Sequence, residues 1–289
     1  MEKTIAQETA EDLGSKQLEY WKNKKLNLYS RNGFLSLFSR VTPVEVSDRV
    51  WCSVNIPISQ HTSAQIMKVC NESDISIFIL LVALVKSVIA RYQHDAEVTI
   101  VSPAYKNNPQ GRIADSVLLR DKALLHGSLR ENILETRTTI IGAYSNQEYF
   151  LSESPIEGLS VADIKTLLLN NVFCKLNTIH NVNHLSATPS FSLNFSRDRR
   201  DISCELSFDA GLYSPDLIDG LCASLSCFIA AACQDFNRSP DSLPLMGEDA
   251  LQRVFHWGKG RQREVPGVTL HQLFEMQVAR TPDAIALVL

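Results

Sequence analysis

Residues 75–92 read ISIFILLVALVKSVIARY, and this stretch decides what kind of fold the chain has. Its apolar side chains recur at almost every helical position rather than along one face, so the helix they form needs cover on several sides from other elements. Burying a dozen such side chains at about 1.5 to 3 kcal/mol each makes that helix the centre of the body. Asp74 or Ser76 is expected to cap it. The apolar run itself, Ile75 to Val85, contains Ser76 and stops at Lys86, short of the roughly 20 residues of a membrane span. It is read as a core helix.

Strand and helix signals alternate outward from this centre. Arg49 to Ile58 reads as a strand, and Thr62 or Ser63 as the cap of a helix to about Asn71. After the central helix come a strand at Glu97 to Ser102, a turn at Lys106 to Gly111, a short strand at Ser116 to Arg120 and a helix at Ser128 to Tyr144. A short helix is expected at Val161 to Leu169. Strands are expected at Asn171 to Ile179, Ser190 to Ser196 and Ile202 to Phe208, the last two joined by a charged turn, Arg197 to Asp201. Ser214 as N-cap and Pro215 at the first helical position open a long helix to about Phe236. This order predicts an α/β layered domain, a mixed sheet packed with helices.

The flanks are less regular. Residues 1–14 read as a flexible N-terminus, Gln17 to Lys25 as the first element, and Tyr29 to Asp48 as polar and irregular, with Gly33 and Pro43 as breakers. Asn237 to Pro244 (NRSPDSLP) reads as a linker, Gly247 to Phe255 as a short helix, and Trp257 to Pro266 as a second linker. At Val268 to Leu289, Thr269 and Gln272 form a capping box, and Leu270, Leu273, Phe274 and Val278 fall on one helical stripe. Thr281-Pro282-Asp283 stops that helix, and Ala284 to Leu289 reads as a buried strand. One helix and one strand cannot offset their own ordering entropy, so these residues read as the opening of a further domain that the sequence leaves unfinished. The expected division is 1–14, 15–245 as the folded domain, 246–267 as connector, and 268–289.

Composition bounds the function. The 289 residues are 45% hydrophobic with a formal net charge of −4, and no basic stripe supports a nucleic-acid surface. Protein or small-molecule partners are expected, with no membrane. The N-terminus lacks the apolar core of a signal peptide, which predicts a cytoplasmic protein. Seven cysteines without a CxxC pair read as reduced, buried thiols, and the spacing of Cys222, Cys227 and Cys233 does not put all three on one helical face for a metal. His180 and His184 are spaced like helix-borne metal ligands, but they fall in an expected loop without a third ligand and read as solvent-facing. No G-x-S-x-G elbow and no Walker or Rossmann glycine pattern occurs. No catalytic, cofactor-binding or metal-ligating residue is therefore assigned. Arg197 to Arg200 is either a docking contact for an acidic partner or a turn charged for solubility.

Two family resemblances lie in these residues. Thr269, Leu270, Leu273, Phe274, Glu275, Gln277, Pro282, Asp283 and Ala286 resemble the opening T-L-x-x-L-F-E-x-Q-x-x-x-x-P-D-x-x-A of the adenylation domain of nonribosomal peptide synthetases. Upstream, Phe78, Leu80, Leu81, Ala83, Leu84, Ala90, Arg91, Tyr92, Glu97 and Val98 are similar to F-x-x-L-L-A-A-x-x-x-L-L-A-R-Y-x-x-x-x-D/E-V of the condensation domain. Pro244, Leu245 and Glu248, with Arg253 two positions beyond the pattern's arginine, are similar to its P-L-x-x-E-x-x-R linker. The resemblance runs from Tyr20-Trp21 to Phe255 and implies the second lobe, or C-terminal half, of the chloramphenicol acetyltransferase-like fold of condensation domains.

The departures from the pattern carry as much meaning. The family's HHxxxDG motif, whose second histidine acts on the acceptor amine or stabilises the tetrahedral intermediate, belongs to the first lobe, and no two histidines are adjacent here. The I-G-x-F-V-N-T-L segment is reduced to Ile113-Ala114-Asp115-Ser116-Val117-Leu118, H-Q-D-x-P-F-E to Asn146-Gln147-Glu148-Tyr149-Phe150, and R-D-x-S-R-N-P-L to Leu185-Ser186-Ala187-Thr188-Pro189-Ser190-Phe191. The resemblance then implies a truncated, non-catalytic condensation-like domain that supports an adenylation domain in cis. It also implies a docking surface for a carrier protein, a tailoring enzyme or a second copy, where the first lobe would otherwise give cover. The alternative is a split enzyme whose first lobe comes from another chain. ATP, Mg and phosphopantetheine are expected only for the parent synthetase.

Overall fold

In the computed structural model, the residues described are 15–24, 33–39, 50–105, 116–147, 160, 162, 167, 171–180, 189–260, 267–285 and 287. The expected turn at Lys106 to Gly111 lies outside them, and of the expected helix Val161 to Leu169 only residues 162 and 167 are described, both helical. The chain falls into two compact units, Met1–Gly247 and Glu248–Leu289.

The first unit is built on a six-stranded mixed sheet. In chain order the strands are β1 (Trp51–Ile56), β2 (Glu97–Pro103), β3 (Ser116–Lys122), β4 (Val172–Leu176), β5 (Phe191–Asp198) and β6 (Asp201–Asp209), and in space they run β1-β6-β5-β4-β2-β3. β2, β4 and β5 are parallel neighbours, whereas β3, β6 and β1 pair antiparallel. The helices are α1 (residues 15–23), α2 (Gly33–Ser36), α3 (Gln60–Val69), α4 (Asp74–Gln93), α5 (Leu129–Ser145) and α6 (Pro215–Ala232). The expected α/β class with a mixed sheet packed by helices is the one found.

Helix α4 is the centre that its sequence demands. Every residue from Ile77 to Ala90 is buried, and the helix packs against α2, α3, α5, α6, β2 and β4. The helix matches the expected 75–92 to one residue at each end, but its 20 residues, unlike the run Ile75 to Val85 by itself, are enough to cross a membrane by length and hydropathy, as is α6. Burial within the first unit makes α4 a core helix. The run continues through Lys86 because that side chain, 2% exposed, pairs with Asp121 of β3 at 3.1 Å.

Several boundaries shift for local physical reasons. Ser73 rather than Asp74 or Ser76 is the N-cap of α4, leaving Asp74 in the first turn, where the helix dipole favours an anion. The cap of α3 is Ser59, three residues before the expected Thr62; the Ser59 hydroxyl accepts the Thr62 amide at 3.1 Å. Ser63 instead faces β6, accepting the Ile202 amide at 3.2 Å. The long helix α6 starts as expected with Ser214 and Pro215 but ends at Ala232, with Cys233 as its C-cap. Within the stretch read as irregular, residues 33–39 form α2 and a bridge from Ser39 to Tyr213, because Phe34, Leu35 and Phe38 bury in the core.

Alternation along β6 explains the two sides of the sheet. Ile202, Cys204, Leu206 and Phe208 are buried, while Ser203 and Glu205 are exposed. On that second face, Asn194 of β5 donates to Ser207 at 2.9 Å, and Ser207 donates to Glu205 at 2.9 Å. This is the polar-out pattern of antiparallel strands with one face to water.

The second unit contains α7 (Glu248–Gly258) and α8 (Leu270–Arg280), neither with a buried residue. Thr269 and Gln272 form the expected capping box of α8. The strand expected at Ala284 to Leu289 is not found at residues 284, 285 and 287. Ile285 and Leu287 are about four-fifths exposed, and a strand needs a ladder partner, which the described residues do not supply there.

Candidate functional site

A buried polar cluster that contains a histidine lies in the first unit at the carboxyl ends of β2 and β4. β2 delivers Ser102, α5 delivers Tyr144, and the turn after β4 delivers His180, which is 3% exposed. This overturns the solvent-facing reading of His180. The turn from Leu176 folds back on itself, with the His180 amide donating to the Leu176 carbonyl at 3.0 Å, and the ring lands edge-on against Phe78 of α4 with centroids 4.7 Å apart. His184 lies outside the described residues.

The hydrogen bonds settle the protons. The Leu176 amide donates to His180 Nδ1 at 2.9 Å, so Nδ1 carries no proton and Nε2 does. Nε2–H then donates to the Tyr144 hydroxyl at 2.8 Å. Tyr144 in turn donates to Ser102 Oγ at 2.9 Å, and Ser102 donates to the Pro103 carbonyl at 3.0 Å. Burial pushes the Tyr144 phenol well above its ordinary range, against the opposing pull of the Ser102 hydrogen bond. Tyr105 stacks on Tyr144 at 5.5 Å, and its amide donates to Gln147 at 2.7 Å.

This directed chain fixes what the cluster can do. His180 cannot serve as a base for Ser102, since the nitrogen nearest Ser102, at 3.4 Å, is the protonated one. It has no lone pair left for a metal either. Ser102, wholly buried, does not reach a substrate. The cluster pins β2, β4, α4 and α5 together. Sequence reasoning missed it because its members are 42, 36 and 78 positions apart.

The other sequence-picked residues are scattered. Arg197 binds inward: its guanidinium donates to Asp74 at the start of α4 and to the Glu72 carbonyl at 2.8 Å, and its amide donates to Asn177 at 2.9 Å. Only Arg199 and Arg200 remain as the exposed turn of the β5–β6 hairpin, closed by the pair Asp198 and Asp201. Cys222 and Cys233 are buried and Cys227 is half-buried on α6; burial pushes all three thiols up, to about 11 for Cys222 and about 12 for Cys233. That disfavours the thiolates a metal would need. Among the described residues no group of three or more His, Cys, Asp or Glu has metal-binding geometry.

The motif positions keep their order in space. Phe78 to Tyr92 lie on α4, Glu97 and Val98 on β2, Val117 and Leu118 on β3, and Asn146 and Gln147 at the end of α5. Ile113 to Asp115, Glu148 to Phe150 and Leu185 to Thr188 lie outside the described residues.

No protein-family model matches the chain. It is similar to bacitracin synthase 3 of Bacillus licheniformis, 22% identical over 261 residues, which cover 81% of this chain and 4% of that protein. In fold it is similar to the first condensation domain of the CDA synthetase (TM-score 0.55, 10% identity), over 85% of this chain and 56% of the other. It is also similar to the complex of the X-domain and OxyB from teicoplanin biosynthesis (TM-score 0.56, 14% identity), over 82% of this chain and 56% of the other. The chain thus spans a small part of the curated relative and little more than half of these solved chains. The sequence relatives are thus nonribosomal peptide synthetases, and the fold is of condensation-domain type.

Proposed function

We propose that this chain is a non-catalytic, condensation-like platform of a nonribosomal peptide synthetase, a support for an adenylation domain in cis or a docking site for a partner protein. The observation that carries the reading is that the condensation-type sheet and core helix persist in a chain where no two histidines are adjacent, so its own residues do not supply HHxxxDG. The buried polar cluster supports it, since His180, Tyr144 and Ser102 use their hydrogen-bonding capacity on one another and on the backbone.

The solved X-domain neighbour is in complex with OxyB, so a domain of similar fold serves another protein as a binding surface. On this reading the partner is a carrier protein, a tailoring enzyme or a second copy. Residues 268–289 open the adenylation domain, the place of action is the cytoplasm, and ATP, Mg and phosphopantetheine act elsewhere in the synthetase.

The test is the light-scattering mass of the 32.3 kDa chain, alone and mixed with a carrier protein and a tailoring enzyme of the same synthetase, beside an amide-formation assay. A defined complex without amide formation is expected. A monomer that binds neither protein overturns the docking arm and leaves support in cis. Amide formation on adding a first-lobe polypeptide that carries HHxxxDG overturns the non-catalytic reading in favour of a split enzyme.

A further inference from the structure

The segment that reads as a linker, Asn237 to Pro244, is bound to the body along its length. Pro240 to Ser242 form a single 3-10 turn, Pro240 is buried, and Leu243 is 1% exposed. Two helix ends hold it. At the start of α5, the Leu129 amide donates to the Arg238 carbonyl at 2.9 Å and the Arg130 amide to the Phe236 carbonyl at 3.0 Å. These are first-turn amides that have no acceptor within their own helix, so the segment completes the cap begun by Ser128. The Asp241 amide donates back to the Leu125 carbonyl at 3.1 Å.

The second hold is Arg91, near the last turn of α4. One guanidinium nitrogen donates both to the Pro240 carbonyl at 3.2 Å and to the Leu243 carbonyl, and Nε lies 4.0 Å from the Asp241 carboxylate. The two N–H bonds of that nitrogen are fixed in the guanidinium plane, one for each carbonyl, whereas a lysine ammonium lacks this preset geometry. We infer that Arg91 is a positioning residue that clamps residues 236–243 as a strap and so fixes the stretch that leads to the end of the first unit at Gly247. The clamp is a property of the first unit and stands whether or not the platform reading holds. It makes that stretch rigid where composition alone indicates a flexible tether.

Amide hydrogen exchange of the full chain tests it, comparing peptides that cover 236–245 with peptides from α4 and β5 in the wild type, Arg91→Ala, Arg91→Lys and Asp241→Asn. In Arg91→Ala, exchange across 236–245 is expected to rise at least about tenfold, the change that loss of one charged hydrogen bond of about 1.4 kcal/mol produces. α4 and β5 are expected to stay protected. Arg91→Lys should move the same peptides in the same direction by less, which keeps the inference open to test if the alanine variant does not fold. Asp241→Asn, which leaves both carbonyl contacts in place, should change little. Unaltered exchange at 236–245 in both Arg91 variants overturns the clamp, and so does a loss of protection spread evenly over the whole first unit.

Discussion

Replacing Lys86 by methionine and Asp121 by leucine together is expected to stabilise the protein, although the double substitution removes an ion pair. Lys86 sits mid-helix at 2% exposure, its partner Asp121 is 14% exposed, and they share one contact of 3.1 Å. An ammonium has three donors, and burial pulls the Lys86 pKa below its ordinary value despite the opposing effect of Asp121. Removing a buried pair in favour of a well-packed apolar side chain is typically neutral or stabilising by up to about 4 kcal/mol, whereas removing one partner alone costs about 3 to 5 kcal/mol. The double change should gain about 1 to 2 kcal/mol, whereas Lys86→Met alone, which strands a carboxylate only 14% exposed, and Asp121→Ala alone, which strands the ammonium, should each lose about 3 kcal/mol. Urea unfolding at pH 7 measures all three as shifts in midpoint at unchanged slope.

The pH dependence supplies an independent check on sign. Because the folded-state pKa of Lys86 is lowered from 10.5, the unfolded chain binds more protons than the folded one between that lowered value and 10.5. The wild type therefore gains stability from this group as pH rises through that window. The advantage of the double variant should accordingly shrink between pH 7 and pH 10.5. A double variant less stable than the wild type at pH 7, or an advantage that grows with pH, refutes the reasoning.

Three further outcomes are expected. His180→Phe keeps a ring against Phe78 but leaves the Leu176 amide and the Tyr144 hydroxyl without their partner, which should cost about 2 to 4 kcal/mol in urea unfolding; a loss below about 1 kcal/mol, on the order of a surface change, would contradict the hydrogen-bond assignment. Tyr20→Phe removes a buried hydroxyl that has no hydrogen-bond partner among the described residues and should raise stability by about 1 kcal/mol, read as a higher midpoint; a lower one would show that the hydroxyl is satisfied. Burial raises the thiols of Cys70 to about 11 and of Cys233 to about 12 from 9.0, so the stability they contribute is complete below pH 9 and is lost as pH rises through those values. For Cys233 alone the loss approaches about 1.4 kcal/mol per pH unit above 9, and a midpoint difference between the wild type and Cys233→Ala that stays constant from pH 8 to 10.5 would exclude it.

The boundary between what composition and pattern reveal and what they hide is visible in α4. Its apolar content all round already demanded a central, covered helix, because hydrophobic burial depends on side-chain type and period and not on which neighbour provides the cover. Ser214-Pro215 and the box of Thr269 and Gln272 were equally legible, since a cap is a contact between residues three or four apart. The alternation in β5 and β6, with two arginines between them, foretold a hairpin for the same reason. Family resemblance added the order of the motifs and hence the type of fold.

Polar partnerships across the chain were not legible. His180 reads as a loop histidine until the fold brings Ser102, Tyr144 and the Leu176 amide around it. Lys86 reads as the end of an apolar run until Asp121 arrives, and Arg197 as a surface charge until Asp74 and Glu72 do. NRSPDSLP has the composition of a linker, yet Arg91, 149 residues before Pro240, binds it down. Local sequence determined the elements and the class of fold because caps, turns and hydrophobic periods act over a few residues. Only the tertiary structure decided which charges and imidazoles are internal, because their burial is tolerated solely where distant donors and acceptors meet them.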